Sequence, residues 1–163
     1  MKTKLLILVS CTLLLLAAGC KNDKDKEPET TLTGNVSRPT WAVSTDYDYT
    51  SSMTAVVKVT NLNGQIVNEQ IVNENDLLAA FIGDNCVGVA SPDTQTGLFF
   101  LYITAPNEQM ENGQMVNDQM VNLKYYSAHY KNIFEAADAF PFQNDTNLGT
   151  IAEPFVPALL KTQ

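Results

Sequence analysis

The chain is expected to fold as an all-β protein, an antiparallel β-sandwich of immunoglobulin-like or carbohydrate-binding-module-like build. Three observations carry that expectation. Apolar and β-branched residues come in short runs, Gly, Asn, Asp and Pro separate those runs, and no long apolar stripe recurs at helical spacing. The first strand is expected over residues 54–60, where Val56, Val57 and Val59 cluster, and Asn61-Leu62-Asn63-Gly64 ends it in a turn because an Asn-Gly pair tolerates positive φ. Residues 77–82 and 86–90 flank Gly83-Asp84-Asn85 and read as a hairpin with a short connection. Residues 97–104 carry Leu98, Phe99, Phe100, Leu101, Tyr102 and Ile103, apolar on both alternations, which predicts a central strand covered on both faces. Residues 121–127 and 132–136 read as a second hairpin around Ala128-His129-Tyr130-Lys131, with Val121, Leu123 and Tyr125 on one face. Pro141, Pro154 and Pro157 punctuate a last stretch of short or irregular strands.

An eleven-residue segment occurs twice: Asn63-Gly64-Gln65-Ile66-Val67-Asn68-Glu69-Gln70-Ile71-Val72-Asn73 returns as Asn112-Gly113-Gln114-Met115-Val116-Asn117-Asp118-Gln119-Met120-Val121-Asn122. The likeness ends there, so the chain is not a duplicated domain. Within each copy the unit recurs every five residues, which puts Ile66 and Ile71 on opposite faces of a strand. Both copies are expected as extended, partly exposed loop or hairpin arms, and their Asn/Gln and β-branched content makes them an aggregation hazard.

The N-terminus sets the expected location. Lys2 and Lys4 precede an apolar stretch over residues 5–18, and Leu16-Ala17-Ala18-Gly19-Cys20 closes it. This resembles the bacterial lipobox, with Ala17 where leucine is preferred and Leu16 one place further out. The resemblance implies a lipoprotein signal peptide over 1–19 and a diacylglyceryl group on Cys20, which becomes the mature N-terminus. Two or more buried acyl chains hold a protein at a membrane, each buried methylene adding ~0.8 kcal/mol. Residues 20–33 then form the acylated cysteine and a charged, solvated tether, leaving residues 34–163 for a single sandwich domain.

Composition excludes several function classes. The formal net charge is −8, and losing Lys2 and Lys4 with no acid takes it to −10. Arg38, Lys58, Lys124, Lys131 and Lys161 are scattered, so nucleic acid is not an expected partner. Cys11 leaves with the signal peptide and Cys20 carries lipid, so Cys86 has no disulfide partner; by alternation it shares a strand face with Gly88 and Ala90 and is expected as a small buried hydrophobe. His129 is the sole histidine, which leaves no His/Cys zinc set, and the chain holds no Gly-x-Ser-x-Gly or phosphate-binding loop. The acids lie mainly in turns and tether, unlike the close carboxylate pair of a glycosidase. No catalytic residue, metal or cofactor is expected. Asp46-Tyr47-Asp48 and Asn144-Asp145-Thr146-Asn147 offer oxygen ligands for calcium but lack the EF-hand pattern, and Asx turns account for both.

The segment Leu78-Ala79-Ala80-Phe81-Ile82-Gly83-Asp84-Asn85-Cys86-Val87-Gly88-Val89-Ala90 resembles a β-rich module of Bacteroidota surface and secreted proteins, of the form Ala-Ala-Phe-x-Gly-Asp-x-Cys-x-Gly-Val-Ala. Further matches are residues 98–104, 123–127, 132–136 and 148–150, together spanning most of the chain after Met53. The resemblance implies a sandwich-like module without assigned catalytic residues; the two Asn/Gln-rich arms depart from it as insertions. By its own chemistry, Gly88 permits a large side chain or a neighbouring strand to come close.

The expected function is therefore a non-catalytic, lipid-anchored protein of the outer membrane, exposed at the cell surface, serving as an accessory binding module for glycan or protein. The alternative is a structural subunit of a larger envelope assembly that pairs through sheet edges or the arms. Aromatics are the candidate ligand contacts: Trp41, Tyr47 and Tyr49 before the first strand, and Tyr126 and Tyr130 around the second hairpin, where an apolar ring with a polar tip can stack on sugar.

Overall fold

The computed structural model describes residues 32–45, 49–67, 72–106, 110–111, 114–115 and 119–162. The expected signal segment, Cys20, most of the expected tether and Tyr47 lie outside the described residues. Thirteen strands and no helix form among those described. In chain order they are β1 (Tyr49–Lys58), β2 (Asn61–Leu62), β3 (Gln65–Ile66), β4 (Leu77–Ile82), β5 (Asn85–Ala90), β6 (Leu98–Pro106), β7 (Met110–Glu111), β8 (Gln114–Met115), β9 (Met120–Ser127), β10 (Asn132–Ala136), β11 (Phe140–Pro141), β12 (Asn147–Leu148) and β13 (Leu159–Lys161).

Two layers enclose one core, as expected of a sandwich. The smaller sheet runs β12-β1-β6 and the larger β3-β2-β13-β10-β9-β4-β5, with β11 added to β9. Most pairings are antiparallel, while β12 joins β1 and β2 joins β13 in parallel. From the small sheet, Met53, Ala55 and Val57 of β1 and Phe99, Leu101 and Ile103 of β6 point inward; Leu78, Ala80, Val87, Leu123, Tyr125, Phe134 and Leu159 meet them from the large one. The contact across the layers includes Phe99 and Tyr125, whose rings meet edge to face at 5.9 Å.

Both expected hairpins form. Gly83, with φ +57, and Asp84 connect β4 to β5, and Asn85 belongs to the strand. The β9–β10 connection spans residues 128–131. The repeated segments begin alike: Asn61 pairs with Ile66 and Leu62 with Gln65, just as Met110 pairs with Met115 and Glu111 with Gln114. In the first copy Asn63 and Gly64 take φ of +53 and +81, the two positive values of a type I′ turn. Asn112 and Gly113 lie outside the described residues.

Two expectations are corrected. The strand expected to be covered on both faces, β6, is at the end of the smaller sheet, with Phe100 and Tyr102 exposed on its outer side. Its run of apolar residues reflects an inward set and an exposed set, not two covered faces. Cys86 does not share a face with Gly88 and Ala90. The pairing of β4 with β5 skips Val87, opposing Ala80 to Gly88 and Phe81 to Cys86. A bulge of this kind turns the following side chains over, so Cys86 is half-buried beside outward-facing Phe81 while Val87 enters the core. Burial pushes the Cys86 thiol up from its ordinary range, keeping it protonated.

Gly88 brings two edges together. A Cβ there would stand 2.7 Å from the carbonyl oxygen of Tyr102, and Thr104 Oγ1 donates to the Val87 carbonyl at 3.2 Å, so β5 closes the sandwich against β6. Backbone cannot yield as a side-chain tip does. Gly88→Ala is expected to lower unfolding free energy by about 2 kcal/mol through overpacking, read as a lower midpoint in urea; an unchanged midpoint would contradict this close approach.

Candidate functional site

The two layers differ in what covers their outer sides. On the large sheet, Leu77, Ala79 and Phe81 of β4 and Tyr126 of β9 face outward by alternation yet are buried. Residues 32–45 account for much of this. Gly34 and Val36 donate backbone hydrogen bonds to the carbonyls of Tyr130 and Lys131, and Arg38 Nε donates to the Asn75 carbonyl. Trp41 meets Phe81 edge to face at 5.8 Å, and Lys124 lies over the same ring at 5.1 Å while pairing with Glu135 at 2.8 Å. Leu32, placed in the tether by sequence, is already part of the core, and its carbonyl accepts from Asn132 Nδ2.

The expected aromatic contacts therefore do not form one site. Tyr126 is only 5% exposed and its hydroxyl donates to the Val36 carbonyl, which makes it a packing residue. Tyr130 is half-buried between His129 and Phe134. Trp41 is half-buried on Phe81. Tyr49 opens β1, where its backbone pairs with Pro106, and Tyr47 lies outside the described residues. A covering segment that arrives from distant sequence turned ring-bearing positions into interior ones.

On the small sheet nothing among the described residues covers the outer side in this way, and two aromatics that the sequence did not single out stand there. Phe100 is 48% exposed and Tyr102 61%. They are two residues apart on β6, so their side chains leave the same face about 7 Å apart along the strand. Register places Val56 beside Phe100 and Thr54 beside Tyr102. Asn147 of β12 lies on the far side of Thr54 and accepts a hydrogen bond from its hydroxyl. The outer face thus presents an amide, a hydroxyl and a phenol in one rung, with two apolar side chains in the next. Phe155, bridged in parallel to Val57, carries the sheet onward and leaves Val156 exposed at the margin. The signal was present in β1: Ser52, Thr54 and Lys58 alternate with Met53, Ala55 and Val57, which marks a wetted outer face, and β6 as its neighbour must share it.

Other polar groups have structural work. Asn144 Oδ1 accepts from the Ser52 amide, Asp145 donates its amide to the Ser52 carbonyl, and Thr146 Oγ1 donates to the Gln143 carbonyl, so this loop ties itself to β1. Asp93 accepts from the Thr96 amide and hydroxyl and from the Gln95 amide in an Asx turn, and those bonds hold its carboxyl below the usual range. Among the described residues no group of three or more His, Cys, Asp or Glu side chains converges as for a metal ion. Comparison of the chain with protein-family models, with curated proteins and with solved structures finds no match.

Proposed function

We propose that this protein is a non-catalytic, lipid-anchored binding module of the outer membrane, exposed at the cell surface, and that the outer face of β12-β1-β6 binds glycan. The observation that carries the proposal is the pair Phe100 and Tyr102, large aromatic surfaces exposed on one sheet face while the opposite layer is covered by residues 32–45. Ordinary surface aromatics occur singly and need no explanation. Two on one strand face, beside a threonine and an asparagine, combine the apolar plane and the polar groups that a sugar ring presents in return.

The test is titration of the mature full chain against immobilised and soluble glycans, with Phe100→Ala and Tyr102→Ala. Each substitution is expected to weaken binding about tenfold, equivalent to ~1.4 kcal/mol, with circular dichroism unchanged. No saturable binding across a broad array, or variants that bind like the parent, would overturn the proposal. Crosslinking that instead recovers an envelope protein through the same face would favour the assembly role.

A further inference from the structure

The sheet edges are closed unevenly. β5 ends the large sheet on one side and comes against β6 at Gly88, and β12 ends the small sheet after two residues, stopping at Gly149 with φ +74. β3, the other end of the large sheet, has no neighbour on its outer side among the described residues. The hairpin fixes where its backbone groups point. Gln65 pairs with Leu62 to close the two-residue turn and the Val67 amide donates to the Thr60 carbonyl at 2.9 Å, so the amide and carbonyl of Ile66, between them, point off the sheet. The hairpin is anchored from behind, where Leu62 pairs with Leu159 and the Asn63 amide donates to the Leu159 carbonyl at 2.6 Å. The Ile66 side chain is 85% exposed on the outer face, and Leu160, two strands further in on the same face, is 48% exposed.

We infer that this edge is where two copies of the chain meet, β3 of one antiparallel to β3 of the other about a two-fold axis at Ile66, so that the two large sheets become one. In that arrangement Ile66 stands opposite its own symmetry mate, each amide donates to the other carbonyl, and the two side chains lie together on the outer face. Open edges are ordinarily guarded by Lys, Pro or a bulge. The edge Gln65-Ile66-Val67 has none of these. Charge favours a second copy here, because two molecules of formal net charge −8 can join at three uncharged residues without setting like charges opposite one another. A two-fold axis then requires only that the strand suit itself, and opposed β-branched side chains do. The seam is short, so the dimer is a weak one.

Sedimentation equilibrium of the mature full chain over about 10 to 500 µM is expected to show reversible conversion of monomer to dimer, as a short interface gives. Ile66→Lys, which sets two like charges on the axis, should raise the dissociation constant at least about tenfold with circular dichroism unchanged, because this side chain already lies in water. Mild oxidation of Ile66→Cys should give a covalent dimer absent from the parent treated alongside, since a hydrogen-bonded antiparallel pair has Cα atoms about 5.5 Å apart, within disulfide reach. A parent that stays monomeric over this range, or a dimer that Ile66→Lys leaves intact, overturns the proposal. Crosslinking of the Ile66→Cys chain to a Met115→Cys chain in preference to itself overturns the two-fold pairing and gives this edge to the second arm.

Discussion

Asp76→Ala should lower the unfolding free energy by about 3 kcal/mol, because it leaves several donors without an acceptor in or near the interior. Asp76 is fully buried at the entrance to β4. Its Oδ2 accepts from the Tyr125 hydroxyl at 2.6 Å and from the Asn73 amide at 2.9 Å, and its Oδ1 from the Ala128 amide at 2.7 Å. One carboxyl thus ties the loop before β4 to the turn between β9 and β10, through residues about 50 positions away. Asp76→Asn keeps the shape and one acceptor and should cost about 1 kcal/mol. Tyr125→Phe, which removes a single donor, should cost about 1.5 kcal/mol.

The same residue fixes a pH dependence. Burial pushes the Asp76 carboxyl above its usual value of 3.8, against the opposing pull of its three hydrogen bonds and of His129, and burial together with the neighbouring carboxylate pushes the Tyr125 phenol up as well. An acid whose pKa is raised on folding binds its proton more tightly in the folded than in the unfolded chain. Its contribution is therefore greatest below the unfolded value and declines as pH rises through the raised folded value. Denaturant titrations of the parent and of Asp76→Asn across pH 3 to 8 should show a stability difference that shifts in favour of Asn as pH increases. A difference that shifts toward the parent over that range would mean the three hydrogen bonds outweigh burial.

What the sequence revealed and what it withheld divide along a physical line. Asn63-Gly64, Gly83-Asp84 and the residues 128–131 were legible because a turn is written in the conformational preferences of the residues that make it. Gly88 was legible as a point of close approach because only the absence of a Cβ needed to be recognised. The burial of Tyr126, the clamp at Asp76 and the covering of Phe81 by Trp41 depend on segments 40 to 90 residues apart that meet only after the sheets are ordered. The face of Cys86 was misassigned because a bulge at Val87 breaks the period of two, and no residue type in that strand demands a bulge. The candidate site was missed for a related reason. Apolarity on both sides of β6 fits burial and fits an exposed binding surface equally, and only the polar alternation in β1, once paired with it, separates the two.

Adjacent residues on β6 make that separation measurable. Phe99 is fully buried against Tyr125, and Phe99→Ala is expected to cost about 4 kcal/mol, the transfer of a phenyl group plus the cavity it leaves between the layers. Such a loss is a large share of the stability of a domain this size and should lower its thermal midpoint by more than about 10 °C. Phe100 shares the backbone and the pairing to β1 but points to the other side. Phe100→Ala should change stability by less than about 1 kcal/mol, since the ring is already half in water. The two variants therefore invert: the first loses the fold's margin while any protein still folded retains its outer face, and the second keeps the midpoint and weakens the proposed glycan binding. Chemical denaturation of both proteins, side by side with a Tyr102→Ala control, checks the inversion. Equal destabilisation by Phe99→Ala and Phe100→Ala would mean that the outer side of β6 is covered in solution, and with it the aromatic face would cease to be a binding surface.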